Sequence, residues 1–195
     1  MINFESLIER DFICLLDFEA KVPSFEEQPL TIEYLHQGKQ HKYTPDFHVI
    51  FAGRNILFEC KPSQFVDTPE NQLKFAAARS WCEERKWFFE VVTDEQLSAN
   101  WRVRNIKLLT RFARYPVNGN FKGRVLACLS TMSVPVRIAD VIQWVNPETP
   151  QAAVIPLLHM AFHHEVFVPL NDAPITVETP IALGAPFIED GLLLP

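Results

Sequence analysis

The sequence predicts an α/β fold, a mixed sheet flanked by helices, followed by a smaller helical domain. Three observations carry this. Apolar residues at 4, 8, 12, 15 and 16 recur with a helical period. Two apolar runs, 47–51 and 55–60, flank a short turn containing Gly53, as in a β-hairpin. A helical stretch begins at Thr68-Pro69, with proline at a first helical position, and runs through ENQLKFAAARSWCEERK into the strand KWFFEVVTD. Strand, helix and strand in that order place the strand within 86–93 parallel to the one within 55–61, through a right-handed crossover.

The remaining elements follow from local pattern. Residues 22–35 read as extended, and HQGKQH is a turn built on Gly38. At 195 residues and 48% hydrophobic, the chain can bury one large core, or a medium and a small one. Cys14, Cys60, Cys82 and Cys128 are scattered among apolar residues without a CxxC pair, which disfavours a zinc site or disulfide framework and fits a reducing cytoplasm. Residues 2–11 hold three acids, unlike a secretory signal, and no apolar run approaches the ~18 residues of a membrane span.

Charge is segregated along the chain. The net charge of −6 does not favour nucleic acid, yet residues 101–124 contain seven Lys or Arg and no acid. Arg104, Lys107, Arg111 and Arg114 have the spacing of one helical face, suited to a DNA backbone. The competing reading is a solvated helix face. Residues 125–195 reverse the balance, with Arg137 as the one basic residue against seven acids. Helices are expected over GRVLACLSTM, VRIADVIQWV and 150–164, with a turn at Ser133-Val134-Pro135 and a short ribbon over FVPLNDAPITVE. Three helices and a ribbon resemble a winged helix. A recognition helix that reads DNA carries Arg or Lys, so this one reads as a protein-docking module. The expected domains are therefore 1–117 and 118–195. The tail from 180 onward is left open between an ordered strand and a partner-binding peptide.

The hairpin YTPDFHVIFAGRNILFECKP carries charges that an interior hairpin ordinarily lacks. Alternation puts Phe47, Val49 and Phe51 on one face of the first strand and Asp46, His48 and Ile50 on the other; in the second, Ile56, Phe58 and Cys60 share one face and Leu57, Glu59 and Lys61 the opposite one. Asp46 joins them only if facing residues have numbers summing to an odd value, which requires an even loop such as Ala52-Gly53 or Gly53-Arg54. Two carboxylates at a sheet end can hold Mg²⁺ through hard oxygens, and a neighbouring lysine can position a water or stabilise a pentavalent phosphate. A salt-bridged surface patch is the bland alternative.

The array P-D-x(12)-E-x-K resembles the PD-(D/E)xK pattern of restriction-endonuclease-like phosphodiesterases. That superfamily usually adds a glutamate from the helix before the sheet, here Glu5 or Glu9, one turn apart. More specifically, ESLIERDFICLLDFE, FEEQP, YTPDF, FECKP and FFEVVTD, in that order over about residues 3–115, resemble the TnsA family, the endonuclease subunits of heteromeric bacterial transposases. The resemblance implies a restriction-endonuclease-like domain that cleaves the 5′ strands at transposon ends. It implies a catalytic set of Glu9, Asp46, Glu59 and Lys61, with Gln28 supporting the site. Metal ligands would be Glu9, Asp46, Glu59 and the carbonyl of Cys60, holding Mg²⁺ for which Mn²⁺ can substitute. Implied partners are transposon-end duplex DNA, a DDE transposase like TnsB and an AAA+ regulator like TnsC. Weak DNA binding by the lone chain is expected. The alternatives are a stand-alone nuclease and a non-catalytic assembly scaffold. A pair of histidines four apart, His159 and His163, has metal-compatible spacing but no evident third ligand.

Overall fold

A computed structural model describes residues 6–132 and 136–184; Glu5, the Ser133-Val134-Pro135 turn and the tail from 185 lie outside them. The first helix, α1 (Leu7–Phe18), starts where the Ser6 hydroxyl accepts the Glu9 N–H at 3.2 Å. Its apolar stripe of Ile8, Phe12, Leu15 and Leu16 is buried.

Two sheets follow. One has four strands, β1 (Ser24–Glu27), β4 (Phe47–Phe51), β5 (Arg54–Cys60) and β6 (Phe88–Val92), in the order β1-β4-β5-β6. The other is a two-stranded ribbon of β2 (Ile32–His36) and β3 (Lys39–Tyr43). β4 runs antiparallel to β1 and β5, whereas β6 runs parallel to β5, as strand–helix–strand order required. The crossover carries a short helix, α2 (Ser63–Val66), and the long α3 (Pro69–Arg85), which the Thr68 side chain caps. After β6, Thr93 and Gln96 form a capping box that opens α4 (Asp94–Ser98), a helix that the sequence reading left out.

The four-stranded sheet is covered on both faces. Toward α1, the Phe12 ring lies 5.5 Å from that of Phe47 and 4.9 Å from that of Phe58. On the opposite face Leu57 and Phe89 join Phe75, Ala78 and Cys82 of α3 with Ile32 and Tyr43 of the ribbon in one buried cluster. Glu59 is therefore placed in a strand that is apolar on either side.

The chain divides between Ala99 and Asn100, upstream of the expected 117/118 boundary, and the basic helix lies in the second unit. That unit contains α5 (Arg102–Thr110), α6 (Gly119–Thr131), α7 (Ile138–Val145), a 3-10 turn (Pro150–Ala153) and α8 (Val154–Phe162). A small sheet of β7 (Val136–Arg137), β8 (Val166–Phe167) and β9 (Pro180–Leu183) has the order β7-β9-β8. Asn105 explains the position of α5. Its amide donates to the carbonyls of Leu170 and Ala173, both at 2.8 Å, and its oxygen accepts the Ile175 N–H at 3.0 Å. The same bonds displace the expected ribbon over 167–178. Backbone groups that a ladder would pair are taken by a buried side chain, and strand pairing is confined to 166–167 with 182–183.

Both hairpins turn on two residues with positive φ, Gln37-Gly38 at 49° and 76° and Ala52-Gly53 at 47° and 77°. Right-twisted strands favour this turn, and it favours Asn or Gly at its first central position. Ala52→Asn should therefore stabilise the protein by about 0.5–1 kcal/mol, read as a higher denaturation midpoint with unchanged m-value.

Candidate active site

The β4–β5 ladder pairs Phe47 with Phe58, His48 with Leu57 and Phe51 with Arg54, so facing numbers sum to an odd value and the loop is Ala52-Gly53. Continued by one residue, that register sets Asp46 against Glu59. The Asp46 side chain is fixed to the residue next to Glu59: the Cys60 N–H donates to Asp46 Oδ2 at 2.7 Å. Asp46 is tied on its other side as well, because its main-chain carbonyl accepts the Gln28 N–H at 2.8 Å. Gln28 has φ of 45°, so β1 turns away immediately after contacting Asp46.

Glu59 is 4% exposed. A carboxylate in such surroundings needs donors, and it has two. Lys61 Nζ lies 2.8 Å from Oε1, and the Tyr43 hydroxyl donates to Oε2 at 2.7 Å. Lys61 reaches it because residues two apart on a strand share a face. The parallel partner β6 fixes the strand beyond Glu59, since the Lys61 N–H donates to the Val92 carbonyl at 2.9 Å. Burial weakens Lys61's hold on its proton, but the bond to Glu59 and the charges of Glu59 and Asp46 outweigh this and hold it more tightly than in an ordinary lysine.

Tyr43 was not among the sequence-predicted residues. The signal was available: it ends β3 as the one buried residue of an otherwise exposed strand, and a buried tyrosine hydroxyl requires a partner. Burial, followed by the charge and hydrogen bond of Glu59, pushes its hydroxyl well above the usual phenol range, so it stays protonated and donates to Glu59.

Asp46 has weaker support. Burial and the charge of Glu59 raise it to about 7, against the opposing Cys60 N–H and Lys61; the charge of Glu9 adds to the rise. Glu9, on the first turn of α1, is thereby placed within electrostatic reach of Asp46 and of Cys60, whose thiol is pushed up by burial and by Asp46, Glu9 and Glu59. Among the described residues no set of three or more His, Cys, Asp and Glu is gathered closely enough to hold a metal ion as it stands. The donor chemistry at Asp46 and Glu59 nevertheless fits a hard divalent cation: two facing carboxylate groups, one of which keeps a proton near neutrality in place of positive charge.

The basic residues do not share one helix. α5 ends at Thr110, carrying Arg104 and Lys107, while Arg111 and Arg114 follow in a tighter turn closed by Phe112 N–H to Leu109 and Ala113 N–H to Thr110 bonds. Arg104, Arg111 and Arg114 are exposed and Lys107 is half-buried. The turn is held by the histidine pair. His159 Nδ1 meets the Phe112 carbonyl at 3.1 Å and His163 Nε2 meets that of Ala113 at 2.8 Å, which gives both rings a backbone-capping role.

Two measurements check this geometry. Between pH 4 and 7 the unfolded chain has released the Asp46 proton while the folded protein retains it. In the absence of divalent cation, this residue's contribution to stability must fall as pH rises through that window, by on the order of 2–4 kcal/mol. Asp46→Asn should flatten that part of the urea-midpoint profile. Tyr43→Phe should cost about 1–3 kcal/mol in the same assay, because Glu59 Oε2 loses its buried donor.

Residues 19–94 match the family model described as TnsA-like endonuclease N terminal. No curated protein matches the chain. The match spans β1 to the start of α4 and includes Asp46, Glu59 and Lys61. Segment 19–94, which holds the hairpin and the crossover, is therefore similar to a TnsA-like endonuclease N-terminal domain.

Proposed function

We propose that this chain is the metal-dependent DNA endonuclease subunit of a heteromeric transposase, cleaving the 5′ strands at transposon ends during cut-and-paste transposition. The observation that carries the reading is the odd-sum hairpin register, which sets Asp46 against Glu59 and Lys61 within a TnsA-like endonuclease domain.

In this reading Asp46 and Glu59 hold Mg²⁺, with Glu9 and the main-chain carbonyl of Cys60 completing the ligand set. The ion, when bound, neutralises charge at the scissile phosphate and lowers the pKa of a water. Lys61 acts through its ammonium N–H groups, orienting the attacking water beside Glu59. Tyr43 keeps the second oxygen of Glu59 from rotating away. The exposed guanidiniums of Arg104, Arg111 and Arg114, with Lys107, supply sequence-independent contact to the DNA backbone.

The part of the chain from 118 onward serves as a winged-helix-like docking module for a DDE transposase like TnsB and an AAA+ regulator like TnsC. Its α6, α7 and α8 followed by the paired β8 and β9 support the shape, and the near absence of basic residues after 124 supports a protein partner over DNA.

The test is nicking of an end-labelled transposon-end duplex with Mg²⁺ or Mn²⁺, with and without the cognate transposase. Cleavage of the 5′ strand that requires the partner, disappears in Asp46→Ala and slows about 10²–10⁴-fold in Lys61→Ala is expected. Efficient cutting by the lone chain would indicate a free-standing nuclease. Transposition that needs the protein but tolerates Asp46→Ala would make it a scaffold.

A further inference from the structure

The β2–β3 ribbon extends from the candidate site, and its face is lined with rings. Tyr43 pairs with Ile32, His41 with Tyr34 and Lys39 with His36, so these residues alternate onto one side of the ribbon. Tyr43 is the residue bonded to Glu59. Next outward, the Tyr34 and His41 rings stack at 5.3 Å and 21°, and His36 meets His41 edge-on at 6.2 Å. A groove of about 410 Å³ opens between these three rings and the first turns of α3, where Glu70, Leu73 and Lys74 form the other wall. Lys42 borders the groove, but its ammonium is turned to Glu33 at 3.0 Å across the ribbon's other face. The α3 wall also adjoins the site, since Lys61 acts electrostatically on Glu70.

We infer that this groove binds one or two unpaired nucleotides of the cleaved strand, next to the scissile phosphate, by stacking bases on the Tyr34, His36 and His41 rings. The position rests on the nuclease reading; the ligand chemistry rests on the groove. Two observations select an unpaired strand over duplex. The lining offers ring faces, which are accessible only to splayed bases. It offers a single ammonium of its own, Lys74, already 2.7 Å from Glu70, which is too little for a duplex track held by phosphates. The number of nucleotides follows from length: Tyr43 to His41 is two residues of strand, about 7 Å, close to the axial rise of two nucleotides in one strand. Lys74 keeps two further N–H donors for one phosphate of that strand. Leu73, 37% exposed, gives the base an apolar floor.

The test uses the full chain without divalent cation and two fluorescein-labelled transposon-end DNAs, one fully paired and one with three unpaired nucleotides beside the nick position. The wild type should bind the partly unpaired DNA more tightly. Tyr34→Val with His41→Thr, both compatible with a strand, should remove that preference, weakening the unpaired substrate about tenfold and the duplex little. Lys74→Ala should lower the salt slope on the unpaired substrate by about 0.7, while Arg85→Ala at the far end of α3 leaves it in place. 5-Bromouracil in the unpaired segment should cross-link to the ribbon. Equal affinity of the wild type for both DNAs, equal weakening of both by the ring variants, or cross-links only outside the ribbon would each overturn the inference. Loss of the preference in the ring variants, combined with Asp46→Ala transposing normally, would sink the nuclease reading and leave the groove standing.

Discussion

The carboxylate of Glu59 lies inside a sheet whose two faces are packed by α1 and by α3, where an ionisable group must be matched or the fold destabilised. It is matched at both oxygens, by the Lys61 ammonium and the Tyr43 hydroxyl. Each donor imposes a condition. Lys61 requires β5 to continue straight past the sheet's end, which β6 secures by accepting its N–H at Val92. Tyr43 requires the ribbon to fold back over α3's side of the sheet, which the buried cluster of Ile32, Leu57, Phe75 and Phe89 secures. The ribbon, the crossover and the hairpin are thus joined through one side chain.

The two carboxylates facing one another are not equivalent. Glu59 accepts from a charged donor and a hydroxyl. Asp46 accepts from one backbone N–H, is buried, and faces the field of Glu59 and Glu9; burial first and those charges second raise its pKa toward neutrality. Such a pair is poised for added positive charge, whether from a proton or a hard cation.

Charge segregation along the chain has a comparable structural basis. The basic segment is a helix and a tight turn, and the turn is kept by two imidazoles from α8 bonded to its carbonyls. The spacing of four that suggested metal ligands instead brings His159 and His163 beside each other, with ring centres 4.3 Å apart, over consecutive residues of that turn. The same periodicity serves either role, and only the neighbouring backbone distinguishes them.

The sequence alone determined the elements with strong local signals: the α1 stripe, the Thr68-Pro69 start of α3, the parallel relation of β5 and β6, and the grouping of Glu59 with Lys61. It also specified the register that Asp46 would need, because strand periodicity is two and the parity of a short loop decides which side chains face each other. Tertiary structure decided the rest. Tyr43 bonds a residue sixteen positions away, and Asn105 organises a loop some seventy positions away, moving α5 into the second unit and cancelling an expected ribbon. Arg111 and Arg114 left the helix for a turn that distant histidines cap. In each case a polar group chose its partner after packing had brought remote segments together, and a choice of that kind leaves no periodicity in the chain to read.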